Sequence, residues 1–241
     1  MVASTSTLEA VIGLARRVDL VRQVSIFKHL SEEVLVDLAR RMTVKRWVGG
    51  AIVVGENEMD RALFVLYAGR AKVSLFGESG REMTLSVLRA GDFFGERSLL
   101  DGKPRSANVV AMDDSILLVL DHRAFLDHLQ SHPQTTMALL QTLTRRLRQS
   151  DEMIANLALH DVNSRLVRTL LALAEENGEV HEDGIIIRYR PTQQDLANMV
   201  GTCRETVSRA LSAMARRGQV VSRGRTLLLR HALVAKARKA A

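Results

Sequence analysis

Near its C-terminus the chain reads Thr202-Cys203-Arg204-Glu205-Thr206-Val207-Ser208-Arg209. Read as the start of a helix, this stretch projects Arg204, Glu205, Ser208 and Arg209 outward, with Thr206 among them. A guanidinium pairs in a bidentate way with guanine O6 and N7, and a carboxylate accepts from cytosine N4. The chemistry offered is the reading of base edges in a DNA major groove. Glu205 has a competing role, because Thr202 and Glu205 have the Thr-x-x-Glu spacing of a capping box. A second constellation is Gly91-Asp92-Phe93-Phe94-Gly95-Glu96-Arg97-Ser98-Leu99-Leu100, followed by Pro104-Arg105-Ser106-Ala107. A glycine admits close backbone approach. Successive backbone N–H groups with a serine hydroxyl can cradle an anion. Arg105 can neutralise a phosphate. Glu96, acceptor-only when ionised, suits a sugar hydroxyl. Phosphate, ribose and base would then meet Arg105 and Ser106, Glu96, and Ser150 or Asp151. Taken alone, Arg105 could equally pair with Asp101 on the surface.

Each set needs elements to hold it. Val207, Ala210, Leu211 and Met214 repeat as the buried face of a helix, and a helical pattern ends at Gly201 just before it. This is the layout of a helix-turn-helix. Val220-Val221-Ser222 and Thr226-Leu227-Leu228-Leu229 enclose Arg223-Gly224-Arg225, a hairpin with a basic tip. Thr192 and Asp195 flank a helix start. Thr192, Gln194 and Arg225 are placed to hold a DNA backbone, which carries affinity but little sequence information. The cassette lies in a stretch from Trp47 to about Leu120 where short β-favouring runs alternate with glycines, the pattern of an antiparallel barrel or jelly roll. Ser31-Glu32-Glu33 reads as a helix start before it.

Between the two lies a long helical segment after Pro133. Leu140, Leu147 and Ile154 repeat every seven residues, as do Leu143, Ser150 and Leu157. These are a and d positions of a coiled-coil seam, which predicts a parallel homodimer; the alternative is one face of a helix lying on its own domain. Ser150, with Asp151 after it, stands where an apolar d residue belongs; it could set register or face an enclosed ligand. Asp161 can cap the next helix.

The bulk numbers allow one large domain or two ordinary ones. The 241 residues are 46% hydrophobic and 25% charged, with one cysteine and a net charge of +7. Residues 184–241 hold 12 Lys and Arg against 2 Asp and Glu, whereas residues 1–183 hold 22 against 25. A neutral-to-acidic body with a basic end suits polyanion binding. The single cysteine excludes an intrachain disulfide framework. No signal peptide or membrane-length apolar run is read, so a cytoplasmic protein without a membrane partner is expected.

The combination of Gly95-Glu96 with Arg105-Ser106-Ala107, a long helix, and Arg204-Glu205-Thr206-Val207-Ser208-Arg209 resembles the cyclic-AMP receptor protein / FNR (CRP/FNR) family of bacterial transcription regulators, from about Val24 to Arg230. The resemblance implies an α+β chain: an N-terminal extension (1–24), a β jelly-roll, cyclic-nucleotide-binding-like domain (25–132), a long dimerisation helix (133–158), a hinge (159–162), a C-terminal winged helix-turn-helix domain (163–235) and a frayed tail (236–241). It implies an allosteric regulator binding a pseudo-palindromic TGTGA-type site, with RNA polymerase as a partner. Cyclic AMP is the leading ligand, held by Gly95, Glu96, Arg105, Ser106, Ala107, Arg146, Ser150 and Asp151. The resemblance also favours base contact for Glu205. The family's cyclic-AMP binders usually carry two hydroxyl residues where this chain has Ser150 and Asp151, so cyclic di-GMP or activity without ligand stays open. A nucleotide sensor acting on a protein partner is a remoter reading, which the basic C-terminus opposes. An enzyme is not expected, and no metal: His122, His128 and His132 read as solvated helix-surface residues.

Overall fold

The computed structural model describes residues 12–188 and 190–233. The expected tail 236–241, and residues 1–11 of the expected extension, lie outside the described residues. The chain forms two compact units. One comprises the chain up to Leu75 together with Leu85–Gln149, and the other Phe76–Thr84 with the chain from Ser150.

In chain order the N-terminal elements are α1 (Leu14–Gln23), α2 (Glu32–Arg41), β1 (Thr43–Trp47), β2 (Ile52–Val54), β3 (Ala62–Ala68), β4 (Ala71–Phe76), β5 (Glu82–Leu88), β6 (Phe93–Phe94), α3 (Glu96–Asp101), β7 (Asn108–Ala111), β8 (Ser115–Asp121) and α4 (His122–Ser131). The strands form two sheets, ordered β1-β8-β3-β6 and β2-β7-β4-β5, the jelly roll expected from the sequence. β3 and β8 run antiparallel, with Leu63 opposite Leu120 and Val65 opposite Leu118. Their residues are buried on both faces, and the period of two sorts them. Leu63, Val65, Leu118 and Leu120 join Phe27, Leu35, Leu38 and Phe125 in one core. Phe64, Leu66, Leu117 and Val119 join Val54, Ala71, Val109 and Phe94 in the other. The first core packs helices on the sheet and the second joins strand to strand, so a continuous apolar run is what these central strands need.

α5 (Pro133–Leu159) follows, 27 residues with proline in its first turn, where a missing N–H removes no helical bond. Leu139 and Thr142 are buried, and Leu143 packs partly against its own unit's core. Leu140, Leu147 and Ile154 stay 52%, 63% and 64% exposed. Apolar side chains in that row are left without cover in a single chain.

The C-terminal elements are α6 (Val162–Asn177), β9 (Gly178–His181), β10 (Gly184–Ile187), α7 (Gln193–Val200), α8 (Arg204–Arg216), β11 (Val220–Arg223) and β12 (Thr226–Arg230). Asp161 caps α6 by accepting from the Ser164 amide at 2.7 Å, and that bond holds its carboxyl below the usual range. The sheet order is β11-β12-β10-β9. Leu166, Leu170, Leu196, Val207, Leu227 and Leu229 share one core with Ala210, Leu211 and Met214. These last three and Val207 are the buried face of α8, as the spacing predicts. Among the described residues, no helix is long and apolar enough to cross a membrane.

Candidate ligand cassette and candidate nucleic-acid interface

The cassette forms where β6 turns into α3. Gly95 sits at that junction with φ +93°, a left-handed conformation that favours glycine. A Cβ there would lie 2.5 Å from the Ala62 carbonyl oxygen and 2.6 Å from Arg105 Nη1. Arg105, 5% exposed, donates from Nη1 to the Gly95 carbonyl (2.8 Å) and from Nη2 to the Ala62 carbonyl (2.9 Å). Its ion-pair partner is Asp60, at 3.5 Å, rather than Asp101. Burial draws the Arg105 pKa below its ordinary value, opposed by Asp60, Glu96 and Glu58. Glu96 is 2% exposed. Its Oε1 accepts from Arg146 Nη1 at 2.7 Å. Arg146 also donates to the Phe93 carbonyl (2.6 Å), with its guanidinium 4.7 Å from the centre of the Phe93 ring.

Two buried polar atoms here have no hydrogen-bond partner among the described residues: Arg105 Nε, a donor, and Glu96 Oε2, an acceptor. A buried unsatisfied polar group costs about 1–3 kcal/mol, so such atoms point to a group that is to come. One orphan suits an anion and the other a hydroxyl, which is the complement of a phosphorylated sugar. Ser106 is exposed beside Arg105, and Ala107 is buried behind it. Gly95, Glu96, Arg105 and Arg146 are thus brought together. Ser150 and Asp151 are exposed on α5 and belong to the other unit.

In the C-terminal unit, α7 begins with a complete capping box: Thr192 Oγ1 accepts from the Asp195 amide (3.1 Å), and the Asp195 carboxylate accepts from the Thr192 amide (3.1 Å). Gln194 is exposed on the same turn and donates to Asn198 Oδ1. The capping box read at Thr202 and Glu205 does not form. Gly201 takes a left-handed conformation, and the Thr202 amide donates back to the Ala197 carbonyl (2.9 Å). Thr202 therefore closes α7, and Cys203 becomes the N-cap of α8 without a side-chain capping bond. The Cys203 thiol meets Thr206 Oγ1 at 3.1 Å, which holds it below its usual pKa. Arg209 Nη2 donates to the same hydroxyl at 3.2 Å. The Glu205 carboxyl is held low by its own backbone N–H, then by Cys203, Arg204 and Arg209, so it stays ionised and can only accept. Arg204, Glu205 and Arg209 are exposed, and Thr206 and Ser208 half-buried.

A cleft of about 690 Å³ runs between the hairpin tip and the start of α7, lined by Arg190, Thr192, Gln194, Arg204, Gly224 and Arg225 among others. Sequence reasoning missed Arg190. Its backbone N–H donates to the Arg225 carbonyl (3.0 Å), and its side chain reaches the neutral oxygens of Pro191, Ser222 and Gly224 at 3.4–3.5 Å. The available signal was its place beside Pro191 in a basic stretch. Three arginines lining one cleft fit a polyanion.

One of the three histidines, His128, departs from its reading as a solvated residue, whereas His122 and His132 stay partly exposed. His128 is 8% exposed, its Nε2 lies 3.1 Å from Thr135 Oγ1, and it stacks on His132 at 4.3 Å. Burial, then the charge of His132, pushes its pKa down to about 4. No group of three His, Cys, Asp or Glu among the described residues could hold a metal ion.

Residues 44–132 match the cyclic nucleotide-binding domain, and residues 164–235 the Crp-like helix-turn-helix domain. The cAMP-activated global transcriptional regulator CRP of Salmonella typhimurium is 31% identical over 188 residues, covering 77% of this chain and 89% of that protein. The CRP-like cAMP-activated global transcriptional regulator of Mycobacterium tuberculosis is 28% identical over 211 residues, covering 88% and 94%. Among solved structures, a mutant of CooA from Carboxydothermus hydrogenoformans superposes with a TM-score of 0.73 at 26% identity, covering 83% of this chain and 88% of that one.

Proposed function

Because the chain belongs to the CRP/FNR family of transcription regulators, we propose that it is a homodimeric, sequence-specific DNA-binding regulator whose DNA affinity is raised by a cyclic nucleotide, with cyclic AMP the first candidate. The observation that carries the ligand reading is the pair of buried orphans, Arg105 Nε and Glu96 Oε2, around a glycine cradle that a single Cβ would fill. In this reading Arg105, Ser106 and the backbone of Gly95 and Ala107 hold the phosphate. Glu96, steadied by Arg146, takes a ribose hydroxyl, and Ser150 with Asp151 meets the base. The bare apolar row of α5 supports the homodimer, with Leu140, Leu143, Leu147, Ile154 and Leu157 in the interface. Two copies of α8 would read a pseudo-palindrome of TGTGA-type half-sites about one helical turn apart. Arg204 and Arg209 take guanines and Glu205 a cytosine, with Thr206 and Ser208 beside them. Thr192, Gln194 and Arg225 hold the backbone. Ligand would act by shifting the population towards the arrangement that fits successive grooves, with the hinge near His160 and Asp161 taking up the rotation. The site of action is the cytoplasm and the further partner RNA polymerase.

A second reading, a regulator active without ligand or with a nucleotide such as cyclic di-GMP, is favoured by one observation. Arg105 already has two carbonyls and Asp60 as partners, so its charge is met within the chain itself. The experiment is a titration of duplex carrying the expected site across a range of salt, with and without cyclic AMP. A steep linear fall of log K with log salt is expected, with a vertical rise on adding nucleotide. A flat salt response removes DNA as the partner. A steep response indifferent to cyclic AMP selects the second reading.

A further inference from the structure

The register of α5 fixes more than its apolar row. With Leu140, Leu147 and Ile154 at a and Leu143, Ser150 and Leu157 at d, the g positions are Leu139, Arg146 and Met153, and the e positions Thr144, Asp151 and Ala158. In a parallel coiled coil a g residue lies against the e residue that opens the partner's following heptad. The facing pairs are then Leu139 with Thr144, Arg146 with Asp151, and Met153 with Ala158. Leu139 is buried in its own unit, so the first pair lies off the seam. Of the remaining two, one is apolar and the other joins opposite charges. Two copies in parallel therefore meet with matched charge at one level of the helix, beside the polar d residue Ser150.

Arg146 is also the residue that reaches the cassette, through Glu96 at 2.7 Å and the Phe93 carbonyl at 2.6 Å. A guanidinium carries five N–H donors in a planar fork, enough to serve two carboxylates on different edges. We propose that the partner subunit's Asp151 engages Arg146 in the dimer, so that each cassette is closed by a carboxylate supplied in trans: Glu96, Arg146, then the partner's Asp151. This rests on the reading of α5 as a parallel homodimer helix. The bridge does two things. It fixes the helix register at the level of Ser150, where the apolar seam is interrupted. It also ties the acceptor meant for the sugar, Glu96, to the partner's helix, so a displacement of Glu96 on one subunit is felt by the other.

The test is the dimer dissociation constant of the full chain, by sedimentation at low and high salt. Asp151 is exposed on its helix, so its variants are expected to fold. Two bridges per dimer predict that Asp151→Asn weakens the dimer about tenfold at low salt and much less at about 0.5 M salt, where surface charges are screened. Asp151→Lys should weaken it further. A second measurement mixes Arg146→Glu chains with Asp151→Lys chains. Each homodimer then opposes like charges and the heterodimer pairs opposite ones, so heterodimers should exceed half of all dimers. A wild-type chain that is monomeric throughout removes the dimer reading and the bridge with it. A stable wild-type dimer with both Asp151 variants within twofold, or heterodimers at the statistical half, overturns the bridge alone.

Discussion

Substitution of Gly95 by alanine probes the cassette at its tightest point. Two effects add. The backbone at φ +93° is left-handed, which costs an L side chain about 1–2 kcal/mol. The new methyl also overlaps the Ala62 carbonyl oxygen at 2.5 Å, which is held within β3, and overpacking of this kind costs about 1–3 kcal/mol. Together they predict a loss of about 2–5 kcal/mol. Gly91→Ala is the control, since its φ of +91° is equivalent but nothing lies within 4 Å of its added Cβ; it should lose only the conformational part. The chain's one tryptophan, Trp47, sits edge-on to Phe64, which stacks on Phe94 at 5.0 Å. Its fluorescence in a urea titration therefore reports on this unit. Calorimetry with cyclic AMP gives the second readout. Arg105 Nη1 lies 2.6 Å from the added methyl, which would push the guanidinium from its place, so Gly95→Ala should also lose nucleotide affinity while Gly91→Ala keeps it. Equal midpoints for the two variants, with binding intact in both, would refute the tight cradle.

Two further outcomes are expected. The folded pKa of His128, about 4, lies below its ordinary value of 6.5, so between those values the unfolded chain binds more protons and stability falls as pH falls. That difference in pKa predicts a loss of about 3 kcal/mol across the window, none of it present in His128→Gln; parallel pH profiles for the two proteins would contradict this. Arg190→Ala should weaken DNA binding alike on all sequences and reduce the salt slope by about one, as loss of one phosphate contact does. A sequence-dependent loss with the slope unchanged would assign Arg190 another role.

What could be read from the sequence was what repeats locally. The buried face of α8 follows from the spacing of Val207, Ala210, Leu211 and Met214, and the central strands from their apolar runs. β1, β6 and β9 gave no such signal. β1 buries one residue of its five, Val44, and β6 is two residues long inside the cassette. β9 is an edge strand whose Val180 is 91% exposed. The types and order of the cassette residues were legible, but the burial of Arg105 was not, because one of its acceptors is the Ala62 carbonyl, 43 residues away. The capping box at Thr202 failed for a related reason. A four-residue pattern says nothing of the bond from the Thr202 amide back to Ala197, which commits that residue to the preceding helix. His128 was misplaced because its cover, Phe27 and Thr135, comes from outside its own helix.

The two carbonyls that hold Arg105 have a consequence for the thermodynamics of recognition. A free arginine loses up to about 2 kcal/mol of rotamer entropy when a ligand fixes it. Here Gly95 and Ala62 have fixed it already, and that ordering belongs to folding. An anion arriving at Nε meets a donor that is already aimed, so little further ordering stands against the new bond. The cassette is preorganised on its phosphate side.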